Sequence, residues 1–288
     1  YLEKNPDLRG TSFDLLAHYA ALGGMENRDP NPLFDTRYYR EKYAHVVKPE
    51  DHPLVHYITQ GVAAGFKPHP LFDTAYYLSR YPDVAEVGIN PLAHFLKHGA
   101  QDGRDPNPLF DTAYYLLRVP ELKTNGINPL VHFLTEGAGK GLKPNPLFYP
   151  IFYLEKYPDI AASGVNPLVH FIENGGREGR DPNPMFVALY YLEKNPDVAA
   201  SGENVLVHYL EKGAREGRDP HPFFQTTYYA KMNYDVIDAG SNPLAHYVEY
   251  GLNEGRLPYN LYDAWVQSKR LTSADIETIR MKMDRMTY

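Results

Sequence analysis

The sequence predicts an all-α solenoid of about seven 38-residue repeats, and three observations support this fold class. One histidine recurs every 38 residues along the chain. Each of these histidines falls in a short segment with helix-start and helix-stop signals, typified by Asn90-Pro91 before it and Gly99 after it. The abundant prolines (25), glycines (22) and tyrosines (25) fall at fixed places in the repeat. The repeating histidines are His18, His56, His94, His132, His170, His208 and His246. The pattern leaves the handedness of the solenoid open, right or left.

The first helix of a repeat is predicted to begin after Asp73, which can cap its N-terminus. Phe72 lies before this cap and is expected to pack on Tyr77 as a hydrophobic staple. The buried face is predicted from residues that recur at helical spacing, namely Thr74, Tyr77, Leu78 and Tyr81.

Proline and glycine mark the predicted helix boundaries in the remainder of the repeat. Pro82 is predicted to end the first helix and to open a single turn that closes near Gly88. The histidine-bearing helix then begins after Asn90 and is predicted to stop at a left-handed Gly99. A stiff linker, residues 104–108, runs extended into the next repeat. These helices are too short to be stable alone, so the repeats are expected to stack on one another.

The repeats predict a solenoid domain over residues 1–258 and a divergent helical cap over residues 259–288. Trp265, the only tryptophan, lies in the cap. An amphipathic helix is predicted after residue 272, because apolar residues recur there at helical spacing. These residues are Ile276, Ile279, Met283 and Met286.

Tyr1 aligns with Tyr39, the second tyrosine of the next repeat, so the chain is expected to start inside a helix as part of a longer protein. The second repeat is the most divergent. Ala44-His45 stands there in place of Pro-Asp, and His52 in place of the capping asparagine.

Composition argues against several classes of function. The net charge is −7 and no lysine or arginine run stands out, so a nucleic-acid partner is not expected. No apolar run is long enough for a transmembrane segment. There is no cysteine, no glycine-rich phosphate loop and no zinc signature, so no catalytic residue, metal or cofactor is expected.

The seven histidines admit two interpretations. A row of imidazoles could bind a ligand or an anionic polymer, because His94 lies roughly opposite the apolar arc of its helix. Shared metal chelation is excluded because neighbouring repeats lie about 10 Å apart. The structural interpretation, which we favour, has each histidine bonding backbone groups of the neighbouring linker.

The first tyrosine of each pair is the other candidate for ligand binding. In four repeats a cation follows it four residues later, which places a charge beside the ring. Such a row could stack on sugars, whereas the alternative is packing between helices with the hydroxyl in water. These tyrosines are Tyr38, Tyr76, Tyr114, Tyr190 and Tyr228, and the cations are Lys42, Arg80, Arg118 and Lys194.

Arg-Asp pairs in the linkers are predicted to form either an ion-pair ladder between repeats or a polar groove. They occur at Arg28-Asp29, Arg104-Asp105, Arg180-Asp181 and Arg218-Asp219.

Two stretches resemble known sequences. The unit Phe72-Asp73-x-x-Tyr76-Tyr77-Leu78, continued by Pro82-Asp83-Val84-Ala85 and Asn90-Pro91-Leu92-x-His94, resembles tandem repeats of bacterial surface-polysaccharide enzymes. The tail from Tyr262-Asp263-Ala264-Trp265 to Ile279-Arg280 resembles the lead-in to family 2 glycosyltransferase domains.

These resemblances imply a non-catalytic repeat region that precedes a glycosyltransferase domain. The partners they imply are that attached domain, the growing polysaccharide and biosynthetic proteins of the same pathway. They also imply a cytoplasmic location at the inner face of the bacterial membrane. No residue matches the metal site or the catalytic base of family 2 enzymes. Two alternatives stay open: the repeat region of a secreted or surface-attached adhesin-like protein, and a self-association module.

Overall fold

A computed structural model of the chain describes residues 1–2, 4–10 and 14–260, and within them the fold is an α-solenoid. These residues form helices and turns without a β-strand, and the β-type pairings among them are isolated bridges such as His69–Phe72. The chain packs into two compact units, Tyr1–Thr135 and Glu136–Tyr288, and both are built from the same repeat.

Each complete repeat opens with a seven-residue α-helix, here called the leading helix. An aspartate caps it in several repeats, as the Asp73 carboxylate accepts a hydrogen bond from the Tyr76 amide at 2.9 Å. The leading helices are Thr36–Lys42, Thr74–Arg80, Thr112–Arg118, Pro150–Lys156, Ala188–Lys194 and Thr226–Met232.

A short helix follows, and a left-handed glycine ends it in the third, fifth and sixth repeats, for example Gly88 with φ of 70°. This confirms the predicted turn between Pro82 and Gly88. The second repeat lacks this helix, as its missing Pro-Asp pair suggests. The short helices are Pro6–Leu8, Pro82–Val87, Glu121–Thr124, Pro158–Ser163, Pro196–Ser201 and Tyr234–Asp238.

The third element, here called the histidine helix, begins as one α-helical turn and continues as a π-helix. The predicted cap is confirmed, because the Asn90 side chain accepts from the Ala93 amide at 3.1 Å. The α-helical turns are Leu15–His18, Pro53–His56, Pro91–His94, Pro129–His132, Pro167–His170, Val205–His208 and Pro243–His246. The π-helical turns are Tyr19–Gly23, Tyr57–Gly61, Phe95–Gly99, Phe133–Gly137, Phe171–Gly175, Tyr209–Gly213 and Tyr247–Gly251.

The predicted role of Gly99 as a left-handed stop is wrong. Gly99 is the last residue of the π-helical turn and lacks the positive φ of Gly88 and Gly103. The left-handed residue is Gly103, four positions later in the turn, with φ of 77°.

The core of a repeat is aromatic. Phe72, Tyr77 and Phe95 are fully buried. The rings of Phe72 and Tyr77 lie 5.4 Å apart between centroids, which confirms the predicted staple, and Phe95 meets Tyr77 edge-on at 5.8 Å.

Neighbouring repeats are joined by side-chain hydrogen bonds to the backbone. The Asp105 carboxylate accepts from the Thr112 amide of the next repeat at 2.8 Å. Thr112 Oγ1 donates back to the Arg104 carbonyl at 2.7 Å. Asn107 Nδ2 donates to the Leu71 carbonyl of the preceding repeat at 2.8 Å. Polar groups of the proline-rich linker are thereby satisfied by fixed partners.

The divergent second repeat uses an arginine where its short helix is missing. Arg40 Nη2 donates to the Asp51 carbonyl at 3.0 Å, and Nη1 donates to the Pro49 carbonyl at 3.2 Å. His52 does not cap its helix, but its Nε2 lies 3.3 Å from the Tyr19 carbonyl of the first repeat. Asn204 makes the equivalent contact in the sixth repeat, to the Phe171 carbonyl at 2.9 Å.

Of the cap predicted over residues 259–288, residues 261–288, which include its amphipathic helix, lie outside the residues that the structure describes. The domain boundary at residues 258 and 259 therefore stays a prediction.

Candidate functional site

The recurring histidine pairs with the second tyrosine of the leading helix in every repeat. Tyr77 Oη lies 2.9 Å from Nδ1 of His94, 17 residues along the chain. The six other pairs span 2.8 to 3.0 Å. They are Tyr1–His18, Tyr39–His56, Tyr115–His132, Tyr153–His170, Tyr191–His208 and Tyr229–His246.

Burial favours the neutral forms of both rings in the pairs of Tyr77 with His94 and of Tyr229 with His246. Desolvation raises the pKa of the Tyr77 hydroxyl well above its usual range, and it raises the pKa of Tyr229 to about 12. Desolvation, assisted by the Arg104 guanidinium, lowers the pKa of His94. A neutral hydroxyl can donate to Nδ1 of a neutral imidazole that carries its proton on Nε2. The pair is a buried polar contact between two helices.

This geometry corrects two expectations about the histidines. Their Nδ1 atoms bond a tyrosine of the same repeat instead of the backbone of a neighbouring linker. They also lie closer to the core than the helical wheel suggests: His56 and His208 are buried and His94 is half-buried. The leading helix crosses the histidine helix on that side and covers the imidazole.

A glycine makes room for the tyrosine hydroxyl. A Cβ added at Gly99 would overlap Tyr77 Oη and would lie 3.2 Å from His94 Nδ1. The same overlap with the second tyrosine is present at Gly23, Gly61, Gly175, Gly213 and Gly251. Tyrosine, histidine and glycine therefore form one structural unit.

The linker arginine binds within its own repeat, so the expected ladder between repeats is wrong. Arg104 Nη2 lies 2.8 Å from the Asp83 carboxylate on the short helix, and its guanidinium stacks over the Tyr81 ring at 4.9 Å. Arg104 holds the pKa of Asp83 below its usual range. Its sequence neighbour Asp105 instead caps the next leading helix. The equivalent ion pairs are Arg28–Asp7, Arg180–Asp159, Arg218–Asp197 and Arg256–Asp235.

The first tyrosines of the leading helices, the other candidates for ligand binding, are half-buried. Tyr38, Tyr76, Tyr114, Tyr190 and Tyr228 all have this partial exposure. The predicted cation lies over the ring in three repeats. The distances to the ring centroid are 4.9 Å for Lys42 on Tyr38, 4.5 Å for Arg118 on Tyr114 and 5.8 Å for Lys194 on Tyr190.

Residues 1–2, 4–10 and 14–260 hold no group of three or more His, Asp or Glu side chains placed to bind a metal ion. Over the same ranges, no helix combines the length and apolar character needed to cross a membrane.

The chain was compared with known proteins. No protein-family model, no curated protein and no solved structure matches it. The glycosyltransferase context therefore depends on the sequence resemblance alone.

Sequence reasoning missed the polar partner of the histidines. The sequence pattern placed the second tyrosine of each pair on the apolar face, and only the first tyrosine was considered as a ligand-binding residue. The available signal was spacing, because the second tyrosine precedes the histidine by 17 residues in all seven repeats.

Proposed function

We propose that this chain is a non-catalytic repeat module of a bacterial glycosyltransferase, and that it serves as a scaffold or binding surface for the growing polysaccharide or for partner proteins. The observation that carries the proposal is the repeated pairing of a half-buried tyrosine with an exposed cation, as in Tyr114 with Arg118. Tyrosine and arginine are enriched at binding interfaces, because they offer a large rigid surface with a polar end.

The rest of the recurring polar chemistry has a structural use. The histidines bond the second tyrosines, and the linker arginines bond the short helices. The tyrosine–cation pairs differ because their cations lie at the surface. The pairs with the cation over the ring lie in the second, fourth and sixth repeats, and those at Tyr38 and Tyr114 share one compact unit. A long, repetitive ligand could contact both of these at once, and binding at several weak sites adds by avidity.

A calorimetric titration tests this proposal. Fragments of the surface polysaccharide, purified from the cells that make this chain, are titrated into the protein. The variant with Lys42→Gln, Arg118→Gln and Lys194→Gln is expected to bind at least tenfold more weakly. Arg177→Gln, which removes an exposed cation from a turn, is the control and is expected to bind as the wild type does.

Absence of binding by the wild-type chain at millimolar glycan would contradict the polysaccharide role. The partner role would then be tested by affinity capture from the same cells. Retention of a biosynthetic protein by the wild type, and its loss with the triple variant, would support a scaffold. Failure of both experiments would reject the tyrosine–cation surface.

A further inference from the structure

The seventh repeat differs from the others by an exposed apolar patch. Its four members are 44 to 71 % exposed. They are Met232, Tyr234, Ile237 and Leu257. Exposed apolar side chains are ordinary when scattered, whereas a contiguous group indicates a surface that something covers.

Two of these residues replace charges that every earlier repeat keeps. At the position of Met232 the six earlier repeats carry Lys4, Lys42, Arg80, Arg118, Lys156 and Lys194. At the position of Leu257 they carry Asp29, Lys67, Asp105, Lys143, Asp181 and Asp219.

The earlier repeats show that these two positions meet in space. Lys156 and Asp181 form an ion pair, and Lys4 Nζ lies 3.6 Å from Asp29 Oδ2. The seventh repeat therefore places Met232 and Leu257 where the first and fifth repeats form an ion pair. Both positions are apolar only in this repeat.

The other two residues enlarge the patch along the short helix. Tyr234 takes the place of a proline found in five earlier repeats, and Ile237 takes the place of Ala161 or Ala199. Tyr234 and Ile237 are three residues apart and share a helical face. The ion pair of Arg256 with Asp235, at 2.9 Å, holds Leu257 beside this helix.

The chain itself supplies an occupant next to this patch. Asn260 is fixed to the seventh repeat, because its amide donates to the Gln225 side chain at 3.0 Å. The 28 residues that follow contain the amphipathic stripe of Ile276, Ile279, Met283 and Met286. A tethered segment reaches an effective concentration in the millimolar range, so it competes well against a separate molecule.

We propose that the apolar stripe of residues 274–286 binds the patch of the seventh repeat and covers the C-terminal end of the solenoid. This docking is independent of whatever the tyrosine–cation pairs bind. It explains why the charges at positions 232 and 257 are missing only in the repeat next to this segment.

Disulfide trapping tests the contact, since the natural chain has no cysteine. Ile237→Cys is combined in turn with Ile276→Cys, Ile279→Cys and Met283→Cys, and the proteins are oxidised at low concentration. An intramolecular disulfide is expected in at least one combination. Ala161→Cys is the matched control, because it occupies the same position two repeats earlier and should not be trapped.

Two results would overturn the proposal. Disulfide-linked dimers without the intramolecular product would assign the patch to a second copy of the chain. Absence of any disulfide, or equal trapping at Ala161→Cys, would show that the stripe does not bind there.

A second variant gives the seventh repeat the surface of the fifth. It combines Met232→Lys, Tyr234→Pro, Ile237→Ala and Leu257→Asp, which are the residues at positions 156, 158, 161 and 181. Because the fifth repeat forms the same three helices with these residues, the variant is expected to fold. Hydrogen exchange of the backbone amides of residues 274–286 should accelerate at least tenfold. Unchanged exchange would contradict the docking.

Discussion

Tyr77 Oη lies 2.9 Å from Nδ1 of His94, and this contact joins the leading helix of the repeat to its histidine helix. Both rings are held neutral by burial, and the pair recurs in seven repeats. Since each repeat is too small to have a large core, one fixed polar contact also defines how its helices pair.

Tyr77→Phe is expected to destabilise the chain by about 1–3 kcal/mol, because it leaves the Nδ1 atom of His94 without its partner in a desolvated site. The measurement is the free energy of unfolding in urea. Tyr250→Phe is the control, because Tyr250, on the last histidine helix, is 54 % exposed and its hydroxyl is not part of a tyrosine–histidine pair. Equal free energies of unfolding for Tyr77→Phe and the wild type would contradict a structural role of the pair.

Gly99→Ala is expected to cost about 1–3 kcal/mol, because the added methyl overlaps the Tyr77 hydroxyl. The double variant with Tyr77→Phe should recover part of this loss, since the hydroxyl is then absent. A double-mutant cycle measures the coupling. Gly88→Ala provides the contrast: nothing lies within 4 Å of its added Cβ, so its cost comes from φ of 70° and Tyr77→Phe should not relieve it.

Asp105→Ala is expected to destabilise the folded chain by about 1 kcal/mol, because the Thr112 amide loses the carboxylate that accepts its hydrogen bond. Asp105→Asn keeps an acceptor oxygen without a charge. Burial raises the pKa of Asp105 to about 6, so the ionised carboxylate is costly in the folded chain. At pH 8 the asparagine variant should therefore equal or exceed the wild type in chemical denaturation. If asparagine were as damaging as alanine, the capping role would be wrong.

Stability is expected to be greatest between about pH 7 and pH 10. Burial lowers the pKa of His94, His170, His208 and His246 below 6.5, so their contribution is present above pH 6.5 and is lost as the pH falls through the folded values. Burial raises the pKa of the paired tyrosines above 10.0, so their contribution is lost as the pH rises past that value.

Urea midpoints measured at pH 6, 7, 8 and 11 check this prediction, and the midpoints at pH 6 and pH 11 should be lower than those between them. The raised pKa of Asp105 acts in the opposite direction, because its contribution is present below pH 3.8 and is lost as the pH rises toward about 6. The acid limb is therefore read between pH 7 and pH 6. A midpoint that stays constant from pH 6 to pH 11 would contradict the buried, neutral pairs.

Most of the fold could be predicted from local chemistry. Asp73, Pro82, Gly88 and Asn90 act where the sequence placed them, because capping and the φ preferences of proline and glycine depend only on nearby backbone. The 38-residue period gave the architecture for the same reason, since identical local signals produce identical units.

The candidate sites were harder to predict, because they depend on how helices cross. A helical wheel shows one helix and therefore placed His94 away from the core, whereas the leading helix covers it. Arg104 likewise forms its ion pair with Asp83 of its own repeat and not with a residue of a neighbouring repeat. Which carboxylate lies within reach of Arg104 depends on the packing of the helices.

The sequence by itself determined the repeat, its helix boundaries and its aromatic core. The 38-residue period and the positions of capping residues, prolines and glycines are properties of the chain. Only the tertiary structure decided which polar groups meet. It joined Tyr77 to His94 across 17 residues and gave Gly99 a steric role. Such contacts follow from the angle at which helices pack, and no single stretch of the chain encodes that angle.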